Sequence, residues 1–313
     1  MARHPTAPVR SNRLPLGCAP CAPCDCTCTD LIGAAPNTEH VRIGVPDSQR
    51  PPTCLDPCFY APEHRVTVTT PYWLGRFEVT NQCYRACVDA GTCPAPSNRY
   101  YDDQVRGTYL RDVAYSLYPA AGMTFSAARA ACRYYGGDLA TSAQWEFAAR
   151  GPDGRDYPWT GSSRCDRGAF SAIGWGGAGV SCVDTNDRAR PWGLPTPSPV
   201  GSHPSGAGPF GTLDLLGNVA EWTLDYFAVD YYFESAASAA ATGREPVDPT
   251  GPSGPCQIGP LCPSRVLRGG GHTSNYIPGP SWLFREATEA PYVPPDAPLP
   301  WGARCVWTHD PGT

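Results

Sequence analysis

Sixteen cysteines in 313 residues constrain this chain more than any other feature. At about 5% of the composition they are too many to be idle thiols. A disulfide framework assembled in an oxidising compartment is therefore the expectation, and with it a secreted, periplasmic or extracellular location. No signal peptide is visible, since Met1–Pro15 carries arginines and prolines where an apolar run of about 7–15 residues would stand. Seven cysteines precede residue 60 and nine follow it, both odd numbers. Complete oxidation thus needs at least one link between the two sets, or one to another molecule.

Five of the thiols crowd into CAPCAPCDCTC, Cys18 to Cys28. Such spacing could hold zinc or an iron–sulfur cluster. Disulfides that also engage Cys54 and Cys58 are favoured, because an exported chain oxidises its thiols first. Haem attachment is excluded, as no CxxC here is followed by His. Residues 1–53, rich in Pro, Ala and Cys and without strand or helix period, read as an irregular N-terminal arm, and 54–313 as one domain.

The net charge of −5, without a basic run, argues against nucleic acid or an anionic membrane as partner. No apolar run approaches the roughly 20 residues of a membrane span. All 24 basic residues are Arg. Schiff-base chemistry, a P-loop lysine and pyridoxal attachment are therefore excluded.

Val66 and Val68 alternate with polar residues across His64–Thr70 and predict a strand. Thr80 caps a predicted helix that runs to Gly91. Cys83 and Cys87 share one face of it, and the short return CVDAGTC favours a Cys87–Cys93 bridge. Thr124 opens a second helix with Phe125, Ala128, Cys132 and Tyr135 on a buried stripe. Thr141 and Gln144 form a capping box for a third, whose Trp145 and Phe147 read as core. Residues 97–118 read as a surface insertion. Cys165 and Cys182 bracket a Gly-rich loop and are expected to bridge it. Residues 191–209 form a Pro/Ser/Gly linker, and 228–263 a loop region closed locally by Cys256–Cys262. In LDLLGNVAEWTLD (Leu213–Asp225) a Gly-Asn turn brings backbone carbonyls close to a carboxylate, the outline of a hard-cation site.

These stretches resemble the formylglycine-generating enzyme (sulfatase-modifying factor) family. The resemblance rests on RVTVTTPYWLGRFEVTNQCYRACV (Arg65–Val88), TFSAARAACRYYGGDLATSAQWEFAARG (Thr124–Gly151), YPW (Tyr157–Trp159), Leu213–Asp225, LRGGG (Leu267–Gly271) and WGARCVW (Trp301–Trp307). The blocks stand in the family's order, from about residue 40 to about residue 308. The resemblance implies an α+β fold, a variant of the C-type lectin fold low in regular secondary structure. It implies a Cys132–Cys305 disulfide. It also implies a structural calcium ion held by the side chains of Asp214 and Glu221 and the carbonyls of Gly217 and Val219. The competing reading is that Asp214 and Asn218 cap turns while Glu221 pairs an arginine.

Catalytic relatives carry two cysteines after the RGG motif that bind copper(I) and activate oxygen to oxidise a substrate cysteine. Here no cysteine lies between Gly269 and Arg285. Copper(I) needs soft thiolates, which His272, Asn275 and Ser281 do not supply, so copper is not expected. The same segment builds the substrate groove in those relatives, which makes His272, Thr273, Asn275, Tyr276, Trp282 and Arg285 candidate ligand contacts. His272 also reads as a structural histidine, and Arg285 as the anchor of a core carboxylate. The reading is a secreted, non-catalytic module that recognises a protein, peptide or glycan. The alternatives are an oxygen-dependent, metal-assisted oxidoreductase using His272, Tyr276 and Arg285, and a structural component that joins an extracellular assembly through the Cys-rich arm.

Overall fold

The alternating valines of the first predicted strand set the frame. His64–Val68 (β3) buries Val66 and Val68 and pairs antiparallel with Glu39–Ile43 (β2). The computed structural model describes residues 22–23, 25–32, 39–46, 61–95, 109–160, 167–168, 197–254, 265–271, 286–288 (backbone only) and 301–311.

A second sheet runs β1-β4-β10-β5, all antiparallel. Its strands are Thr29–Ile32 (β1), Tyr72–Gly75 (β4), Cys305–Trp307 (β10) and Asp138–Leu139 (β5). A third runs β8-β7-β6-β9, from Glu286–Thr288 (β8), Arg265–Arg268 (β7), Ala220–Tyr226 (β6) and Trp301–Gly302 (β9). Only the β6–β9 pairing is parallel in that sheet. With four α-helices among the described residues, the architecture is α+β.

Three helices start where the sequence says. Thr80 accepts from the Cys83 N–H at the head of Asn81–Asp89 (α1), and Gly91 takes the left-handed conformation just past its end. Thr124 accepts from the Ala127 N–H ahead of Phe125–Tyr134 (α2), whose Ala128 and Cys132 are fully buried. Thr141 and Gln144 exchange both hydrogen bonds of a capping box before Ser142–Arg150 (α3). Trp145 and Phe147 on α3 are buried as expected. Trp145 belongs to the core that includes Ile43, Val66, Tyr72 and Leu215, and Trp222 to a second core around Cys132, Ala128 and Trp307.

Three expectations are corrected. Residues 1–53 are not irregular throughout, because β1 and β2 lie within them and their Ile32, Val41 and Ile43 are buried. Strand pairing, which no periodicity in so short a run reveals, decides this. Residues 228–263 contain a helix, Tyr231–Thr242 (α4), which is alanine-rich and ends at a left-handed Gly243. The presumed insertion at 97–118 carries a core tyrosine, since Tyr109 is buried and its hydroxyl donates to the Pro119 carbonyl.

The Cys87–Cys93 and Cys132–Cys305 disulfides are both formed. Cys26–Cys83 is a link between the two cysteine sets, one of the two outcomes that their odd counts allow, and Cys28 is also disulfide-bonded. Cys165, Cys182, Cys256 and Cys262 lie outside the described residues. Among the described residues no helix is long and apolar enough to cross a membrane.

Candidate functional site

Two glycine turns that the sequence keeps some fifty residues apart meet in space. The Gly217 N–H donates to the Gly269 carbonyl at 3.0 Å. Asp214, Gly217 and Asn218 all adopt positive φ, at 56°, 86° and 58°, a conformation that glycine takes freely and Asp and Asn tolerate. At Gly269 a Cβ would meet the Leu215 carbonyl at 3.1 Å and the Trp145 ring at 3.2 Å, so close approach demands glycine there. From this floor the chain turns into residues 272–285. His272, Thr273, Asn275, Tyr276, Trp282 and Arg285 therefore lie outside the described residues.

Beneath the floor sit two buried charge clusters. Arg304 is 1% exposed and grips Glu221 from two nitrogens, Nη2 to Oε1 at 2.7 Å and Nε to Oε2 at 3.1 Å. Its remaining donors reach the carbonyls of Gly75 (2.9 Å), Arg76 (2.9 Å) and Leu213 (2.8 Å). One planar guanidinium thus joins the end of β4, the approach to β6 and β6 itself. Trp145 Nε1–H donates to Glu221 Oε2 at 2.6 Å.

In the second cluster Glu146 accepts from the Gly44 N–H (2.7 Å), Arg150 (3.2 Å), the Tyr232 hydroxyl (2.8 Å) and Arg268. Glu221 and Arg268 are register partners across β6 and β7, so the two clusters share one sheet. Burial alone would raise the Glu146 carboxyl. The charges of Arg268 and Arg150 outweigh it and hold that carboxyl below the usual range.

Glu78 and Asp214 behave in the opposite way. Glu78 accepts from the Asn218 amide (2.6 Å) and the Val219 N–H (3.1 Å), yet burial, then the charges of Asp214 and Glu221, push it well above the usual range. Burial also raises Asp214, against the Gly201 N–H that donates to it at 2.6 Å. A carboxyl raised on folding contributes stability at low pH and loses it as pH rises through the folded value, whereas that of Glu146 is present at neutral pH and lost on acidification. Stability should therefore peak in mild acid. In melting curves taken against pH, Glu78→Gln should flatten the decline from that peak towards neutrality. An unchanged slope would show that Glu78 does not titrate in that window.

Of the residues that the resemblance assigns to a calcium ion, Asp214, Gly217 and Val219 stand in the turn before β6 and Glu221 lies on β6. Both Glu221 oxygens already face Arg304 and Trp145, and the guanidinium charge would repel a divalent cation there. The competing reading, that Glu221 pairs an arginine, is what the structure contains. Sequence reasoning missed Glu78, Glu146, Arg268 and Arg304. The signal available for Arg304 was its place beside Cys305 in WGARC.

The family described as sulfatase-modifying factor enzyme 1-like domain matches residues 35–309. The formylglycine-generating enzyme of Mycobacterium tuberculosis is 32% identical over 195 residues, which are 60% of this chain and 57% of that protein. The chain thus spans little more than half of that relative's length. A Bos taurus protein named inactive C-alpha-formylglycine-generating enzyme 2 is 34% identical over 111 residues, 35% of this chain and 34% of its own. Among solved structures, PvdO from Pseudomonas aeruginosa is similar with a TM-score of 0.55 and 19% identity, over 86% of this chain and 91% of that one. At that identity the likeness concerns the fold alone.

Proposed function

This chain belongs to the sulfatase-modifying factor enzyme 1-like family, and from that premise we propose that it binds rather than oxidises, as a secreted module that recognises a protein, peptide or glycan through its Gly269–Arg285 face. The observation that carries this reading is the lack of any cysteine between Gly269 and Arg285, where the resemblance implies two copper(I) thiolates. The described cysteines include no free thiol that could stand in. Disulfides in this number belong to an oxidising compartment, in keeping with export. The fixed donors that meet Glu221 and Glu146 support a rigid platform, the kind of scaffold on which binding residues are placed. The Cys26–Cys83 bond holds the N-terminal segment against α1, which favours one module over a free assembly tail.

The test pairs two measurements. Incubated with copper(I), oxygen and a cysteine-bearing peptide, the protein should consume no oxygen above the protein-free control and should leave the thiol unchanged. Stoichiometric copper(I) binding with aldehyde formation would reinstate the oxidase. In the second, Trp282→Ala should weaken capture of hits from glycan and peptide arrays while leaving the melting temperature unchanged.

A further inference from the structure

Disulfides usually withdraw both sulfurs from solvent, and in this chain Cys87–Cys93 and Cys132–Cys305 do so. Cys87, Cys93, Cys132 and Cys305 are 0%, 6%, 0% and 4% exposed. Cys26–Cys83 differs. Cys83 is 3% exposed, but Cys26 is only half-buried, and the bond lines a cleft shared with Cys28, Cys305, Glu78 and Thr80.

The two sulfurs also differ chemically. Cys83 is the third residue of α1, whose N-terminal N–H groups carry partial positive charge. The Thr80 hydroxyl donates to its Sγ at 3.1 Å while accepting from the Cys83 N–H at 3.3 Å. Both features lower the energy of a thiolate on Cys83, and a sulfur with a stabilised thiolate is the better leaving group in exchange. Asp25, at the same cleft, has one oxygen engaged by the N–H and hydroxyl of Thr27.

We propose that Cys26–Cys83 is a thiol-exchange site, accepting two electrons from a pair of substrate thiols that reach Cys26 through this cleft. A substrate thiolate attacks Cys26 Sγ, which forms a mixed disulfide and expels Cys83 as thiolate. A second substrate thiolate then attacks the substrate sulfur of that mixed disulfide and releases Cys26. The substrate pair leaves as a disulfide, and both cysteines become thiols by taking up two protons. Exchange with a more oxidising disulfide runs the sequence backwards and restores the bond. No residue that this site uses falls between Gly269 and Arg285, and the proposal does not depend on the binding reading.

The experiment exposes the folded protein briefly to dithiothreitol or reduced glutathione without denaturant, traps thiols by alkylation and maps them by mass spectrometry. Cys26 and Cys83 should be labelled at least about tenfold faster than Cys87, Cys93, Cys132 and Cys305. Thr80→Val should slow that labelling several-fold, and Thr80→Ser should restore it. A merely structural disulfide would open together with the others at the rate of global unfolding, and that result would overturn the proposal, as would opening of Cys132–Cys305 first. Should Thr80→Val fail to fold, the order of labelling in the natural chain decides the question alone. Labelling by dithiothreitol and not by glutathione would restrict the substrate class to dithiols.

Discussion

Replacing Arg304 with alanine should lower stability by about 3–5 kcal/mol, because the change strands the buried Glu221 carboxylate without its counter-charge. For a chain of this size that corresponds to a fall of roughly 10 °C in melting temperature. The carbonyls of Gly75, Arg76 and Leu213 lose their donor in the same step, so three segments come apart at one point. Arg304→Lys should recover little, since a single ammonium cannot serve a bidentate carboxylate and three carbonyls at once. The informative comparison is Arg304→Met combined with Glu221→Gln, which removes both charges and should lie closer to the natural chain than Arg304→Ala does. Urea titration of the four proteins measures this. An Arg304→Ala protein within about 1 kcal/mol of the natural chain would mean that the ion pair does not hold the floor together.

Loss of the Cys132–Cys305 bond should be comparably severe. Its ends are 173 residues apart, and in the chain-entropy account opening so long a loop costs about 5 kcal/mol. Cys87–Cys93 spans 6 residues, for which the same account gives only about 2 kcal/mol. Double serine variants at each bond, compared by denaturant unfolding, should fall in that order. Equal losses would show that local packing of the sulfurs, rather than constraint of the unfolded chain, decides their worth. The long bond also has a folded-state role, as Cys305 begins β10, the strand that joins β4 to β5.

The legible parts of the sequence were those whose cause is local. Thr80, Thr124 and Thr141 each announce a helix because a hydroxyl three residues before an amide satisfies it wherever the chain sits. The α4 helix lacks any such signal. Asp230 makes no side-chain cap there, and its alanines carry propensity without an apolar stripe. The strands at Thr29–Ile32 and Glu39–Ile43 were hidden in a segment dominated by Pro and Cys, because a short strand acquires its identity from partners 40 to 46 residues away in β4 or 21 to 29 away in β3. At the site, the sequence marked Glu221 as a carboxylate beside a glycine turn but could not tell a cation from a guanidinium as its partner. Arg304 lies 83 residues further along the chain.

By itself, then, the sequence determined the helix starts, the need for a bond either between the two cysteine sets or to another molecule, and the lack of thiols after the RGG turn, since each follows from neighbouring residues or from counting. Only the tertiary structure decided that Cys26 meets Cys83, that the N-terminal strands join the sheets, and that Arg304 and Arg268 neutralise Glu221 and Glu146. Those choices rest on which distant groups share a water-poor interior. There a charge must find its opposite, and local pattern carries no record of which one it finds.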